Sequence, residues 1–443
     1  MPALYLFFVG VAALIVGLMA WQHGIDLSTC AGWSLMTLLH GLVVKPLFVA
    51  FDFPNADILD WLLFSKITRD QYWLWGSILV LPYLAFTVAM FASGRYGKVA
   101  GPPRRPVVAP RERLDETVLL VLFVIAALGT VSFFVQFPQL LESANKNSIA
   151  TTDVEDYNGG GIWRSLIELS YVVSLCALLN VGTRVAPRRN IALFVLSAAL
   201  WLAFCFLSDQ RGLVIFSFVA YFIAYRRFVG PVSRKVIILG IVCVVVAIGG
   251  KTLMRIQSEV GAQDDIAYAA ANLVGQNLVE NGKTISIIQA TPSEIGFQFG
   301  KTYVDAILIL VPRALYPQKE TVNLDTVIAS KVFGCDAFGA CGVPPGIIAE
   351  SYLNFGPLGV VCLSIAAGIF VGRVDRRFRL GPRTIAFDLF YVYSLVFSGM
   401  ALLGSSVSGL ITQFLIQGVT LALVLALARR STRRRRLTIP VTA

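Results

Sequence analysis

Three short stretches of the sequence carry charged residues of types that could bind and react with a phosphate-bearing substrate. They are SDQRG with Arg211, VPRALYPQKE with Arg313 and Lys319, and GIIAESYLNFGPLG with Glu350. A guanidinium group grips a phosphate through two parallel hydrogen bonds. A partly buried carboxylate, whose pKa is raised toward neutrality, can serve as a general base. The arginines therefore indicate binding of a phosphate or diphosphate.

The elements that must position these residues are apolar runs. The chain of 443 residues is 56% hydrophobic and 14% charged, with a mean hydropathy of +0.73, whereas soluble domains carry roughly 25% charged residues. Runs near the length that crosses a bilayer, about 20 residues, recur throughout. We predict an all-α polytopic integral membrane protein, a single domain over 1–443, with about eleven spans. They lie at 3–20, 31–50, 74–92, 117–136, 162–182, 190–207, 212–228, 235–250, 355–372, 384–402 and 405–428.

One span, 31–50, contains His40 and Lys45, so the count is ten if this segment does not fully cross.

The positive charges give the orientation of the chain in the membrane. Five segments hold 24 of the 37 Lys and Arg: 95–113, 184–189, 226–235, 373–383 and 429–436. All five fall on one side when the spans are threaded alternately, and the positive-inside rule makes that side cytoplasmic.

The net charge of +11 therefore reflects membrane topology. The basic tail 429–443 follows a span directly, which favours a cytoplasmic anchor on anionic lipid over a nucleic-acid site. On the opposite, periplasmic side lies a large loop, 251–342. Its stretch DDIAYAAANLVGQNL has apolar residues at helical spacing, which predicts an amphipathic helix. Loops of this length are usually functional.

Arg211 opposes the topological bias, because its turn lies on the outer side. Lys251 and Arg255 stand four residues apart where another span emerges, and charges in such places are functional candidates. Structural alternatives stay open for several of these residues. Arg211 could pair with Asp209, Arg313 with Glu320, and Lys319 could anchor at the interface. Arg164 and Glu168 are spaced i,i+4, for which an ion pair that locks the helix is favoured.

Several kinds of chemistry have no support in the sequence. There is no Walker loop, no Rossmann glycine fingerprint and no His/Cys metal cluster, and the only histidines are His23 and His40. We predict no metal and no cofactor.

Cys335 and Cys341, in FGCDAFGACGVPPG, are candidates for a structural disulfide that would add roughly 2 kcal/mol to the free energy of unfolding. Free thiols are the alternative.

The three stretches follow one another in the order SDQRG, VPRALYPQKE, GIIAESYLNFGPLG. This pattern resembles the O-antigen and exopolysaccharide repeat-unit polymerases (Wzy-type) of bacterial inner membranes, over roughly residues 160–400. The resemblance implies a GT-C-type glycosyltransferase architecture shared with O-antigen ligases. It implies metal-independent transfer of a growing glycan from undecaprenyl diphosphate to a sugar hydroxyl of an incoming lipid-linked repeat unit, at the periplasmic face.

The resemblance also implies roles for individual residues. Arg211 and Arg313 would be catalytic grips on the diphosphate, with Arg255, Lys319 and Lys251 as further diphosphate-binding candidates. Glu350 is the candidate base for the acceptor hydroxyl. The expected partners are undecaprenyl-diphosphate-linked oligosaccharides and membrane lipids, with a chain-length regulator and a flippase as further candidates and no nucleic acid.

Three other functions compete with repeat-unit polymerisation. O-antigen ligases rely on a histidine in the large loop, and this chain has none there. A lipid-phosphate-sugar glycosyltransferase would use a carboxylate in the first outer loop, where Asp52, Asp57 and Asp60 are available. A transporter of an anionic or lipid-linked glycan would usually show inverted repeats with paired broken helices, and the sequence shows no such pairing.

Overall fold

The computed structural model of the chain describes residues 2–23, 29–51, 67–94, 114–136, 160–183, 186–207, 211–233, 238, 281–308, 311, 316, 324–334, 343–381, 384–395 and 403–437. Within these ranges every regular element is a helix. The prediction of an all-α protein is therefore confirmed.

The helices are numbered in chain order. They are α1 (Pro2–His23), α2 (Cys30–Leu39), α3 (Lys45–Ala50), α4 (Arg69–Gly94), α5 (Glu116–Gln136), α6 (Gly160–Gly182), α7 (Pro187–Leu207), α8 (Arg211–Phe228), α9 (Asn281–Ala290), α10 (Lys301–Leu308), α11 (Leu324–Phe333), α12 (Gly346–Leu380), α13 (Ile385–Phe390) and α14 (Val407–Leu437). Two π-helical segments, His40–Val44 and Tyr391–Leu395, join α2 to α3 and extend α13.

Six helical stretches in the described ranges are long and apolar enough to cross a membrane. They are Cys30–Leu47, Arg69–Gly94, Glu116–Gln136, Pro187–Leu207, Gly346–Leu380 and Val407–Arg429. Shorter apolar helices cover Ala3–Met19, Leu166–Gly182 and Ile385–Leu395. The chain is thus a multi-pass membrane protein, as predicted. Helix α8 covers the predicted span 212–228, while 235–250 lies outside the described residues apart from Ile238.

Two predicted spans need comment. The segment 31–50 is helical throughout, and its π-helical part begins at His40, the residue that made this span doubtful. The predicted span 355–372 is the middle of the longer helix α12. At Gly356 the φ of 64° and ψ of −156° are not helical, so α12 consists of two helical parts that meet at a kink, close to where the predicted span begins.

The chain forms two compact units. The first comprises residues 1–100, 249–381 and 398–414. In it α12 packs along α4, and Gly368 and Gly372 allow the close approach, because a Cβ at either position would overlap the backbone of α4. Near the other end of α12 from Glu350, the buried carboxylate of Asp375 accepts hydrogen bonds from the backbone N–H groups of Cys30 and Ala31, at 3.1 and 2.7 Å. Asp375 thereby joins α12 to the N-terminus of α2.

The second unit comprises residues 101–248, 382–397 and 415–443. In this unit the buried side-chain amide of Asn180 binds the backbone of Leu114. Its oxygen accepts from Leu114 N at 3.2 Å, and its nitrogen donates to Leu114 O at 3.1 Å. Arg227 and Asp388 form a two-pronged ion pair with distances of 3.1 and 3.0 Å. Because the polar atoms of these side chains have hydrogen-bond partners, the side chains can lie among the apolar helices of the unit.

Candidate functional site

The side chain of Glu350 lies at the centre of a buried polar cluster in the first unit. Glu350 is the fifth residue of α12 and is 0% exposed. Its Oε1 accepts from the Thr302 hydroxyl at 3.0 Å. Its carboxylate also accepts from the backbone N–H groups of Val407 and Ser408, the first two residues of α14. One carboxylate therefore joins the beginnings of three helices, α10, α12 and α14.

The beginning of α14 is well supplied with acceptors. The first N–H groups of a helix have no partner within the helix and carry partial positive charge. Glu350 takes those of Val407 and Ser408, and the hydroxyl of Ser406 accepts from Gly409 N at 3.3 Å. A negative carboxylate in this position is stabilised by charge-assisted hydrogen bonds.

Asn354 extends the cluster to the turn that precedes α10. One helical turn after Glu350, its amide nitrogen donates to Thr302 Oγ1 and to Glu350 O, both at 2.8 Å. Its amide oxygen accepts from Gly300 N at 2.8 Å. Gly300 has a φ of +88° and the preceding Phe299 a φ of +47°, an uncommon conformation for a bulky residue that the surrounding contacts must hold. The start of α10 is therefore fixed to α12 by side chains.

A second carboxyl reaches the same helix end from α11. Burial raises the pKa of the Asp325 carboxyl, against the opposing effects of a hydrogen bond with Ser406 and the positive charge of Lys283. Lys283 itself is buried in α9. Burial and the neighbouring charge of Glu350 also raise the pKa of the Tyr303 hydroxyl. The residues 406–408 thus interact with two carboxyl groups, those of Glu350 and Asp325.

The structure describes only part of the predicted site. Glu350 is described in full. Arg211 is the first residue of α8, so a helix begins where the sequence places this arginine, but its side chain lies outside the description. Six predicted residues lie outside the described ranges: Lys251, Arg255, Arg313, Lys319, Cys335 and Cys341. Their roles stay predictions.

In the second unit Glu168 is buried and lies beside Tyr393, which belongs to the π-helical segment Tyr391–Leu395. The ring of Tyr393 contacts that of Tyr171, which stacks on Trp201 with ring centroids 5.2 Å apart. The backbone of Arg164 is in α6, but its side chain is not described. The expected Arg164–Glu168 ion pair therefore stays a prediction.

Sequence reasoning missed four members of the cluster around Glu350: Thr302, Asn354, Asp325 and Lys283. Asn354 could have been predicted, because it follows Glu350 by four residues in GIIAESYLNFGPLG and residues four apart share a helix face. Nothing in the local sequence marks Thr302, since its contact with Glu350 spans 48 residues.

The fold and the cluster define a class: an all-α, multi-pass membrane protein with a buried carboxylate cluster where a membrane-crossing helix begins. The sequence profile of the family described as O-antigen polysaccharide polymerase Wzy matches residues 163–431. That range is more than half of the chain, so the chain belongs to this family and is a repeat-unit polymerase in general terms. Neither a curated protein nor a solved structure matches the chain.

Proposed function

We propose that this polymerase transfers a growing glycan from undecaprenyl diphosphate to a sugar hydroxyl of an incoming lipid-linked repeat unit, at the periplasmic face of a bacterial inner membrane. The observation that carries the proposal is the family match, because its range includes Arg211, Arg255, Arg313 and Glu350. In the reaction the bond from the anomeric carbon to the phosphate oxygen breaks. A new glycosidic bond forms, the hydroxyl proton passes to a base, and undecaprenyl diphosphate leaves.

The proposed grips on the diphosphate are Arg211 and Arg313. Cations held in place against the charge that develops on a leaving group usually lower the barrier more than any other single effect in such catalysis. Arg255, Lys251 and Lys319 are further candidates for the same task. With the chain's own cations neutralising the diphosphate, the proposed mechanism is metal-independent.

Glu350 is the proposed base for the acceptor hydroxyl. The hydrogen bonds from Thr302, Val407 and Ser408 hold its carboxylate in one orientation. Because Glu350 is fully buried, a proton can reach it only when an acceptor hydroxyl enters the cluster and replaces one of these donors. Catalytic hydrogen bonds commonly form only in the substrate complex.

Two protein partners are proposed beyond the substrate. A chain-length regulator would set how many repeats are added, and a flippase would deliver the lipid-linked repeat unit to the periplasmic side. The large loop 251–342 is the proposed periplasmic surface on which a regulator would act.

Deletion of the gene in its host, followed by gel analysis of the surface polysaccharide, tests the proposal. We expect single-repeat products in place of a ladder, and a restored ladder when the wild-type chain is supplied. Loss of all attachment of glycan to lipid A would instead indicate a ligase, and an unchanged ladder would contradict both.

The predicted orientation can be tested with the same strain. Ser293→Cys, on an exposed turn after α9, should react with a membrane-impermeant maleimide in intact cells. Arg377→Cys, exposed near the end of α12, should react only after the cells are permeabilised. The reverse pattern would contradict a periplasmic location of the Glu350 cluster.

A further inference from the structure

The short helix α10 presents three different faces, two of which have evident partners. Since an α-helix turns about 100° per residue, residues four apart lie on the same side. Thr302 and Ala306 form the buried face, and Thr302 is held there by Glu350. Lys301 and Asp305 form an exposed ion pair, with an N–O distance of 3.8 Å, on a second face. These two faces meet protein and water respectively.

The third face is apolar and uncovered. Val304 and Ile307 are 55% and 56% exposed, and Phe299, in the turn before the helix, is 81% exposed. On α12 the exposure continues with Phe355 and with Leu358, which is 74% exposed. We call Phe299, Val304, Ile307, Phe355 and Leu358 the interface patch. The ring of Tyr303 stacks on that of Phe355, with ring centroids 6.2 Å apart, and this contact joins the parts of the patch on α10 and α12.

The patch continues into a membrane-crossing surface. Phe355 and Leu358 flank the kink at Gly356, and Val361 and Ile365 continue the exposed apolar side along the crossing helix α12. Aromatic residues are enriched where spans meet the lipid headgroups. A short helix with one charged face and one apolar face is typical of elements that lie in this interface.

We propose that the interface patch is immersed in the interface of the lipid bilayer, with α10 lying in the plane of the membrane. The Lys301–Asp305 face then meets water, and the Thr302 face is held by Glu350 and Asn354. This bilayer contact does not depend on the proposed function.

Photo-crosslinking of the full chain in phosphatidylethanolamine–phosphatidylglycerol vesicles tests the contact. The photoreactive residue p-benzoylphenylalanine is placed singly at positions 299, 304 and 307, and mass spectrometry identifies what each peptide gains on irradiation. Position 301 is the matched control, because it is similarly exposed but belongs to the charged face. We expect phospholipid adducts at 299, 304 and 307 and at least several-fold fewer at 301.

Two results would overturn the proposal. Phospholipid adducts at position 301 as abundant as those at 304 and 307 would show that α10 has no side turned to lipid. Crosslinks of positions 304 and 307 to a second copy of the chain would show that protein covers the patch. Because neither result depends on catalysis, an inactive chain would refute the proposed function and leave this test intact.

Discussion

The two ends of α12 use the same chemistry for different purposes. Glu350, near its start, and Asp375, near its end, are both fully buried, and both accept from two consecutive N–H groups at the beginning of another helix. At the Asp375 end the carboxylate accepts from the N–H groups of Cys30 and Ala31, and α2 has its own N-cap in Thr29. At the Glu350 end the carboxylate also meets the Thr302 hydroxyl, which Asn354 holds in turn.

Burial and capping therefore do not by themselves mark a catalytic residue. The Asp375 end lies among the basic residues of 373–383, on the predicted cytoplasmic side. The Glu350 end faces the predicted periplasmic side. The part of α12 after the kink, residues 357–380, is about 36 Å long at 1.5 Å per residue, which is enough to cross a bilayer core of about 30 Å. We expect one end to stabilise the protein and the other to serve its reaction.

The largest expected effect is on polymerisation, and it should distinguish the role of Glu350 from that of Asp375. Glu350→Gln should lower polymerisation by roughly 10²–10⁴-fold, the usual contribution of a general base, with protein abundance in the membrane little changed. Asp375→Asn should lower abundance and leave the activity per molecule close to wild type, because each Asp375 oxygen accepts from a different N–H group and an amide nitrogen cannot accept. In Glu350→Gln one oxygen can keep both N–H groups, since Val407 N and Ser408 N both donate to Oε2. Immunoblots and gels of the same strains measure both. An active Glu350→Gln chain at normal abundance would contradict the base role.

The next effect concerns the arginines. Arg211→Ala and Arg313→Ala should each lower polymerisation by roughly 10²–10³-fold, as expected for the loss of one preorganised donor to developing charge. Lysine should rescue poorly, because an ammonium group keeps the charge without the two-pronged geometry. Arg189→Ala, an exposed arginine at the predicted cytoplasmic end of α7, is the matched control and should be active. Normal ladders from the Arg211 and Arg313 variants would refute the proposed grips.

A smaller effect sharpens the role of the Glu350 end. Thr302→Val removes one hydrogen bond to a charged group, worth about 1.5–3 kcal/mol, and should slow polymerisation about tenfold or more. Thr302→Ser keeps the hydroxyl and should restore most of the rate. Thr87→Val is the matched control, because the buried Thr87 hydroxyl donates within its own helix, to Tyr83 O. Equal losses in Thr302→Val and Thr87→Val would indicate a general effect on folding.

The smallest expected effect concerns Cys335 and Cys341. If they form the predicted disulfide, non-reduced peptides should show the pair linked, and replacing both by serine should reduce polymer length only modestly. Two free thiols in protein purified without reductant would end the prediction.

The helical architecture could be predicted from the sequence because crossing a bilayer requires long apolar runs and leaves few alternatives. The spans 117–136 and 190–207 agree closely with α5 and α7. GPLG marks the kink at Gly356, where the predicted span 355–372 begins, but that span did not include the helical residues 346–355 before the kink. The hydrogen bond that Cys30 N donates to Asp375 joins residues 345 apart in the sequence, and no local pattern predicts it. Glu350 could be singled out by its type and place, but its partners on α10 and α14 could not.

The most direct measurement of the proposed reaction is reconstitution of the purified chain in vesicles with the host's undecaprenyl-diphosphate-linked repeat unit as the only glycan substrate. We expect a ladder of lipid-linked products that differ by whole repeat units, with release of undecaprenyl diphosphate for each bond formed. A substrate that stays as single repeats with the wild-type chain, or moves across the membrane without bond formation, would contradict the proposed polymerase reaction.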